Sequence, residues 1–375
     1  MWVFYILFLL LSPIGGQVDI VRHDALGFKA TYFPPLDSTV MAQYWDNTAV
    51  HSEAMYNGNG SWGLGYADWP TRPYDSDHPL VRVTAWHVLG LLTLIENGLS
   101  DDAMVQRARM GLNWLQERQT DEGAWPLYTT SRGAVTAQSI IPTALAGRTM
   151  SRAYRVLRNP RYLLAASRAR AWQEARPQDD SPLNHGLVLA GILEQYRSVH
   201  ELVLVDQAVK EGLIILNRQL PNGSWKDPLP LSTDEHALVL ESLLMLEHAL
   251  VDVHPQKRRV RSGVNAALNF LLENQLADGN FVSGRAELDT YQAPTFELVA
   301  LILAREVRHM NEFDMPITGA VRTLNTHPSN EAARWRSTQG ARFLAMTRAL
   351  AWFTQAQIAP DAHDELPNNP TGTSP

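Results

Sequence analysis

One repeated phrase constrains this chain more than any other feature. Gln119-Thr-Asp-Glu-Gly-Ala-Trp125 recurs as Gln219-Leu-Pro-Asn-Gly-Ser-Trp225, and again, with Phe for Trp, as Gln275-Leu-Ala-Asp-Gly-Asn-Phe281. Each copy follows an apolar helical run (111–115, 212–216 and 267–271) and precedes another helical pattern. The phrase therefore reads as a helix end, a glycine turn and an aromatic plug, repeated along the chain. A degenerate copy, Tyr56-Asn-Gly-Asn-Gly-Ser-Trp62, keeps the Gly-Ser-Trp and lacks the Gln.

Spacing converts the phrase into an architecture. Gln119 and Gln219 are 100 residues apart, and Gln219 and Gln275 are 56 apart. A decayed copy near Trp172 and another near Trp335 fill out the series as about six units of about 50 residues. Helical periodicity covers 81–97, 101–117, 136–156, 161–174, 182–196, 205–218, 234–250, 261–274, 295–310, 316–324 and 340–357, and no segment alternates like a strand. The expectation is an all-α fold, an (α/α)6 toroid of six helical hairpins with inner and outer helices. An open helical solenoid is the alternative. Residues 71–357 form the toroid in this reading. An irregular, aromatic-rich segment (17–70) precedes it, and a proline-rich disordered tail (358–375) follows.

Composition narrows the function. With 45% hydrophobic residues, 19% charged residues and a net charge of −7, the chain is globular and no nucleic-acid partner is expected. It has no cysteine, so neither disulfides nor thiolate zinc sites arise. Residues 1–16 read as a signal peptide: an apolar run from Trp2 to Leu11, too short to span a bilayer, then small residues. That implies a secreted or periplasmic protein with no integral membrane span after cleavage.

Two resemblances follow from these motifs. The Gln-x-x-x-Gly-x-Trp phrase resembles the repeat of squalene and terpenoid cyclases and of the prenyltransferase β chain. The segment from Ala146 to Leu163, ending Asn159-Pro-Arg-Tyr-Leu163, resembles the sugar-active α/α toroids: polysaccharide lyases, uronate epimerases and unsaturated-uronyl hydrolases. Both imply the toroid, and neither implies a particular reaction.

If outer helices carry the phrase, the residues before each inner helix face the central cavity. Those positions hold Tyr74, Asp75, Asp77 and His78, then Arg132, then Asp180 and His185, then Asp234 and His236, then Asp289 and Tyr291. Asp, Ser and Thr suit helix starts as plain caps, and Asp77 and Asp234 are the foremost candidates for that role. His, Tyr and Arg are not needed for capping. The expected catalytic set is His185, Tyr291, His236, Asp180 and Asp234. The expected substrate-binding set is Tyr66, Trp69, Tyr74, Asp75, His78, Arg132 and Asp289, with Tyr66, Trp69 and Tyr74 offering rings for sugar faces. Converging helix N-termini favour an anionic ligand.

The function expected is action on an acidic, uronate-containing oligo- or polysaccharide by β-elimination or C5-epimerisation. Base and acid would come from Tyr or His, and Arg would neutralise the carboxylate. Hydrolysis would instead use paired carboxylates, Asp75 or Asp77 with Asp180 or Asp234. A terpenoid-cyclase-like enzyme and a non-catalytic glycan- or protein-binding toroid are the alternatives, although the cyclase Asp-x-Asp-Asp motif is absent. No cofactor is expected. His78, His185 and His236 lack the tight His-x-x-x-His spacing of a metal site, so no metal is expected either.

Overall fold

The phrase works as a fastener between hairpins. The Nε2 of Gln119 donates to Gly123 O (2.9 Å) within its own turn and to Ala165 O (2.8 Å) on the next outer helix. Gln219 repeats this with Gly223 O (3.0 Å) and Gly263 O (2.9 Å), and Gln275 with Gly279 O (3.3 Å) and Pro316 O (3.0 Å). The turn glycine is obligatory: at Gly223, φ is +87° and a Cβ would lie 2.0 Å from Ala266 O. The aromatic residue then plugs the gap. Trp125 and Trp225 are buried, and their Nε1 atoms donate to Leu115 O (2.7 Å) and Ile215 O (3.1 Å) at the end of the preceding helix.

This computed structural model describes residues 33–63, 80–126, 138–176, 181–282, 293–326 and 339–358. Its helices are α1 (Ser38–Ala54), α2 (Val81–Glu96), α3 (Asp102–Gln116), α4 (Ile140–Leu157), α5 (Pro160–Glu174), α6 (Pro182–Val199), α7 (Leu202–Asn217), α8 (Thr233–Ala249), α9 (Lys257–Glu273), α10 (Phe296–Arg308), α11 (Asp314–Thr326) and α12 (Gln339–Ile358). A short ribbon, β1 (Lys226–Asp227) and β2 (Leu229–Pro230), is the only strand pair among the described residues.

Local chemistry sets the ends of these helices. Asp37, Asp101 and Ser181 cap α1, α3 and α6 through their side chains, and Pro160 and Pro182 sit in first turns. Ser232 and Glu235 form a reciprocal capping box at α8.

Burial separates two classes of helix. In α2 every residue from Val83 to Leu94 is buried, as expected of a helix enclosed on all sides. In α3 only one stripe is buried, including Ala108, Gly111, Leu112 and Leu115, so its other face meets solvent. The enclosed helices form a closed ring: α2 packs on α4, α4 on α6, α6 on α8, α8 on α10, α10 on α12, and α12 back on α2. Each has an outer partner: α3, α5, α7, α9 and α11 for the first five, and α1 for α12.

The sixth pair thus takes one helix from each end of the described chain, and Trp45 meets Phe343 across it at 6.0 Å. The ring excludes the open solenoid. It also corrects the reading of 17–70 as irregular, because Ser38–Ala54 is a helix of the toroid. Only Met41 and Thr48 are buried in α1, so the segment carries no apolar stripe for periodicity to detect.

Candidate active site

The two ends of the ring are built differently. Links at the C-terminal ends of inner helices are short, such as 158–159 and 200–201, whereas links into inner helices are long, such as 55–80, 117–139 and 274–295. Long connections on a rigid frame are where sites form. The N-terminal mouth of the inner ring, where the phrases lie, is therefore the candidate site.

At that mouth the first turns of α8 and α10 bring two carboxyls together. Asp234 and Glu297 are hydrogen-bonded to each other, with Thr295 donating to Asp234. Glu297 is fully buried and Asp234 half-buried. Burial raises both acids above the ordinary carboxylate range, and the neighbouring Glu297 charge raises Asp234 further. Such a pair holds one proton between two groups, giving an acid and a base in one place. Asp234 is not the plain cap that the sequence suggested, because Ser232 caps α8.

The pair faces the axis. Glu241 lies two helical turns beyond Asp234, on the same face. Its carboxylate receives both Nη atoms of Arg148 (3.0 and 2.5 Å) from α4, which is not a ring neighbour of α8. Trp86 of α2 and Phe296, the residue before Glu297, also meet across the ring, with centroids 5.2 Å apart. Arg82 and Arg342 lie in the first turns of α2 and α12 at the same mouth.

The two described histidines of the expected catalytic set are not brought together. His185 Nδ1 lies 2.6 Å from Glu211 Oε2 on its own outer helix, α7. His236 is two residues past Asp234, about 200° round the helix. Its Nε2 donates to Ala267 O (3.0 Å) on the outer helix α9, and its ring packs on Trp225 and Phe270 at 4.8 and 4.7 Å. His87 is a counterpart in α2, stacked on Trp62 and Phe343 at 5.3 and 5.2 Å. Burial lowers both His87 and His236 to a pKa of about 4, so both are neutral core residues. Tyr66, Trp69, Tyr74, Asp75, His78, Arg132, Asp180, Asp289 and Tyr291 lie outside the described residues, which contain no cluster of three or more metal-ligating side chains.

Below the mouth the axis is charged. Arg152 meets Glu96 at 2.7 Å, and Arg155 bridges Glu96 and Glu194 (2.6 Å to the latter). Burial would raise Glu194, but the charges of Arg152 and Arg155 override it and hold its pKa at about 2. Arg148 likewise keeps Glu241 ionised despite burial.

No family model and no curated protein matches the sequence. Solved structures do match. Cellobiose 2-epimerase from Bacillus thermoamylovorans superposes with a TM-score of 0.64 at 14% identity, covering 83% of this chain and 99% of that one. A family 76 glycoside hydrolase (mannosidase) from Bacteroides thetaiotaomicron gives 0.61 at 14%, covering 84% and 99%. A family 88 glycosyl hydrolase from Bacteroides vulgatus gives 0.63 at 9%, covering 85% and 100%. These likenesses bear out the (α/α)6 toroid as the fold.

Two functional-looking contacts are not marked by the phrase. Glu297 lies inside its helix rather than before it, although Thr295-Phe-Glu297 echoes Ser232-Thr-Asp234 at equivalent helix starts. Glu211, the partner of His185, lies mid-helix in α7, and no local motif marks it.

Proposed function

We propose that this toroid is a carbohydrate-processing enzyme that removes the C5 proton of a uronate residue at its N-terminal mouth, with the Asp234–Glu297 pair as the proton-transfer group. The observation that carries this reading is the buried, hydrogen-bonded carboxyl pair on the axial face. Its monoanion is a stronger base than an ordinary carboxylate, and it bears one negative charge fewer than two separate carboxylates would against an anionic sugar. C5 deprotonation is common to both reactions expected from the sequence. In β-elimination the electron pair expels the O4 leaving group, and in epimerisation a proton returns to the opposite face. Arg82 and Arg342, with Arg132 from the sequence, are candidates to neutralise the C6 carboxylate. Tyr291, from the sequence, is the candidate acid.

Three features favour a sugar acid over other ligands. The inner-helix N-termini converge on the mouth. The Trp86–Phe296 pair offers an aromatic floor for sugar C–H faces. The similar folds named above belong to sugar epimerases and glycoside hydrolases. The charged axis, with its Arg148–Glu241 pair, does not suit a hydrocarbon substrate.

Hydrolysis is the second reading, because two of those folds are hydrolases. Glycoside hydrolysis sets its two carboxyls about 5–9.5 Å apart, not in direct hydrogen bond. It would need a separate partner, such as the sequence candidate Asp180. An extracellular or periplasmic setting rests on the apolar run from Trp2 to Leu11.

The test is a screen of the purified chain against neutral and uronate-containing glycans. Unsaturated-product absorbance, reducing ends and deuterium uptake at C5 are read in parallel. Turnover of uronate glycans with C5 exchange or unsaturated products supports the reading. Reducing ends from neutral glycans alone would overturn it.

A further inference from the structure

A cavity of about 450 Å³ opens at the opposite end of the ring, between the last turns of α4, α6, α8 and α10. Its lining includes the apolar Leu193, Met245 and Leu303 and, one turn nearer the helix ends, Arg197, His248 and Glu306, with Arg155 from α4.

The charges around it do not balance. Arg148, Arg152, Arg155, Arg197 and Arg348 lie within interaction range of Glu194, Glu241 and Glu306, with Glu96 at the edge. Five guanidiniums thus meet four carboxylates. Glu96 and Glu194 are committed to Arg152 and Arg155, and Glu241 to Arg148. Arg197 and Arg348 are left with no hydrogen bond among the described residues, and of these two only Arg197 lines the open cavity. His248 senses the same excess: burial lowers its pKa first, then the positive charges of Arg197, Lys257 and His309.

We propose that this C-terminal cavity binds a compact organic anion, a sugar-sized body carrying one carboxylate or phosphate, with Arg197 as the residue that receives the anionic group. The volume lies within the usual range of small-molecule pockets. Apolar residues one turn deeper than the Arg155 and Arg197 guanidiniums suit an amphipathic ring better than a free inorganic ion. The anion would give the Arg197 guanidinium a charge-assisted hydrogen-bond partner, strong enough to offset the unfavourable helix C-termini nearby. This site is independent of the reaction at the other mouth.

The test is calorimetric titration of the full chain with glucuronate, glucose 6-phosphate and glucose. Wild type, Arg197→Gln, Arg197→Lys and Asp234→Asn are compared, with melting curves to show that each is folded. At least one anion should bind saturably and glucose should not, and the two anions distinguish carboxylate from phosphate. Arg197→Gln should weaken the anion about tenfold or more, Arg197→Lys should recover part of the loss, and Asp234→Asn, which alters only the uronate mouth, should leave glucose 6-phosphate binding unchanged. No saturable anion binding, equal affinity in folded Arg197→Gln, or loss in Asp234→Asn but not in Arg197→Gln would overturn the assignment.

Discussion

The carboxyls of Asp234 and Glu297 are hydrogen-bonded to each other across the first turns of two neighbouring inner helices. A shared-proton pair costs stability when it must ionise. Both folded-state pKa values are raised, so the folded chain binds more protons than the unfolded chain above the ordinary carboxylate pKa. The associated stability is present at low pH and lost as pH rises through the folded pKa values. Asp234→Asn and Glu297→Gln should therefore raise the melting temperature at pH 8 by a few degrees. Melting curves at pH 5 and 8 check this, and the gain should shrink at pH 5.

His87 and His236 give the opposite slope. Each is depressed to about 4 in the folded chain, so between 6.5 and 4 the unfolded chain binds protons that the folded chain does not. Stability is unaffected above that window and falls as pH drops through it, by up to roughly 3 kcal/mol per histidine. Chemical denaturation of wild type at pH 7.5 and 5 should show the loss. His236→Phe should remove about half of the histidine-dependent slope, and an unchanged slope would show that His236 does not titrate as described.

Gln219 ties its own turn to α9 through two hydrogen bonds, at 3.0 Å to Gly223 O and 2.9 Å to Gly263 O. Gln219→Ala should cost about 1–3 kcal/mol. Gln119→Ala should cost a similar amount, because its two bonds are equivalent. Gly223→Ala should cost more than either, since it adds a Cβ against Ala266 O at positive φ. Urea denaturation ranks the three.

Arg148 and Glu241 are both about 5% exposed and form the axial ion pair. Removing one partner strands a buried charge, so Arg148→Met should cost about 3–5 kcal/mol. The double variant Arg148→Met, Glu241→Leu should recover most of that loss. A double-mutant cycle from denaturation curves measures the coupling.

The toroid was legible because the phrase marks outer-helix ends and its spacing gives the unit count. Residues 119–125, 219–225 and 275–281 behave alike in the structure as they do in the sequence. Helix α1 was not legible, because a helix that buries only Met41 and Thr48 leaves no periodic signal.

The site was legible in height and not in azimuth. Sequence position placed Asp234 and His236 at the same inner-helix start. Two residues along a helix turn the side chain by about 200°, so one faces the axis and the other the outer shell. The seven-residue step from Asp234 to Glu241 fixes that face, but only once Arg148 is seen to reach Glu241 across the ring.

In the proposed reaction the Asp234–Glu297 pair moves the C5 proton of a uronate. This is tested most directly by incubating the full chain with a uronate-containing polysaccharide in D2O. Deuterium at C5 and unsaturated product are measured for wild type, Asp234→Asn and Glu297→Gln. The expected result is C5 exchange or elimination by wild type and a loss of at least about a hundredfold in each folded variant. Wild-type rates in both variants would contradict it.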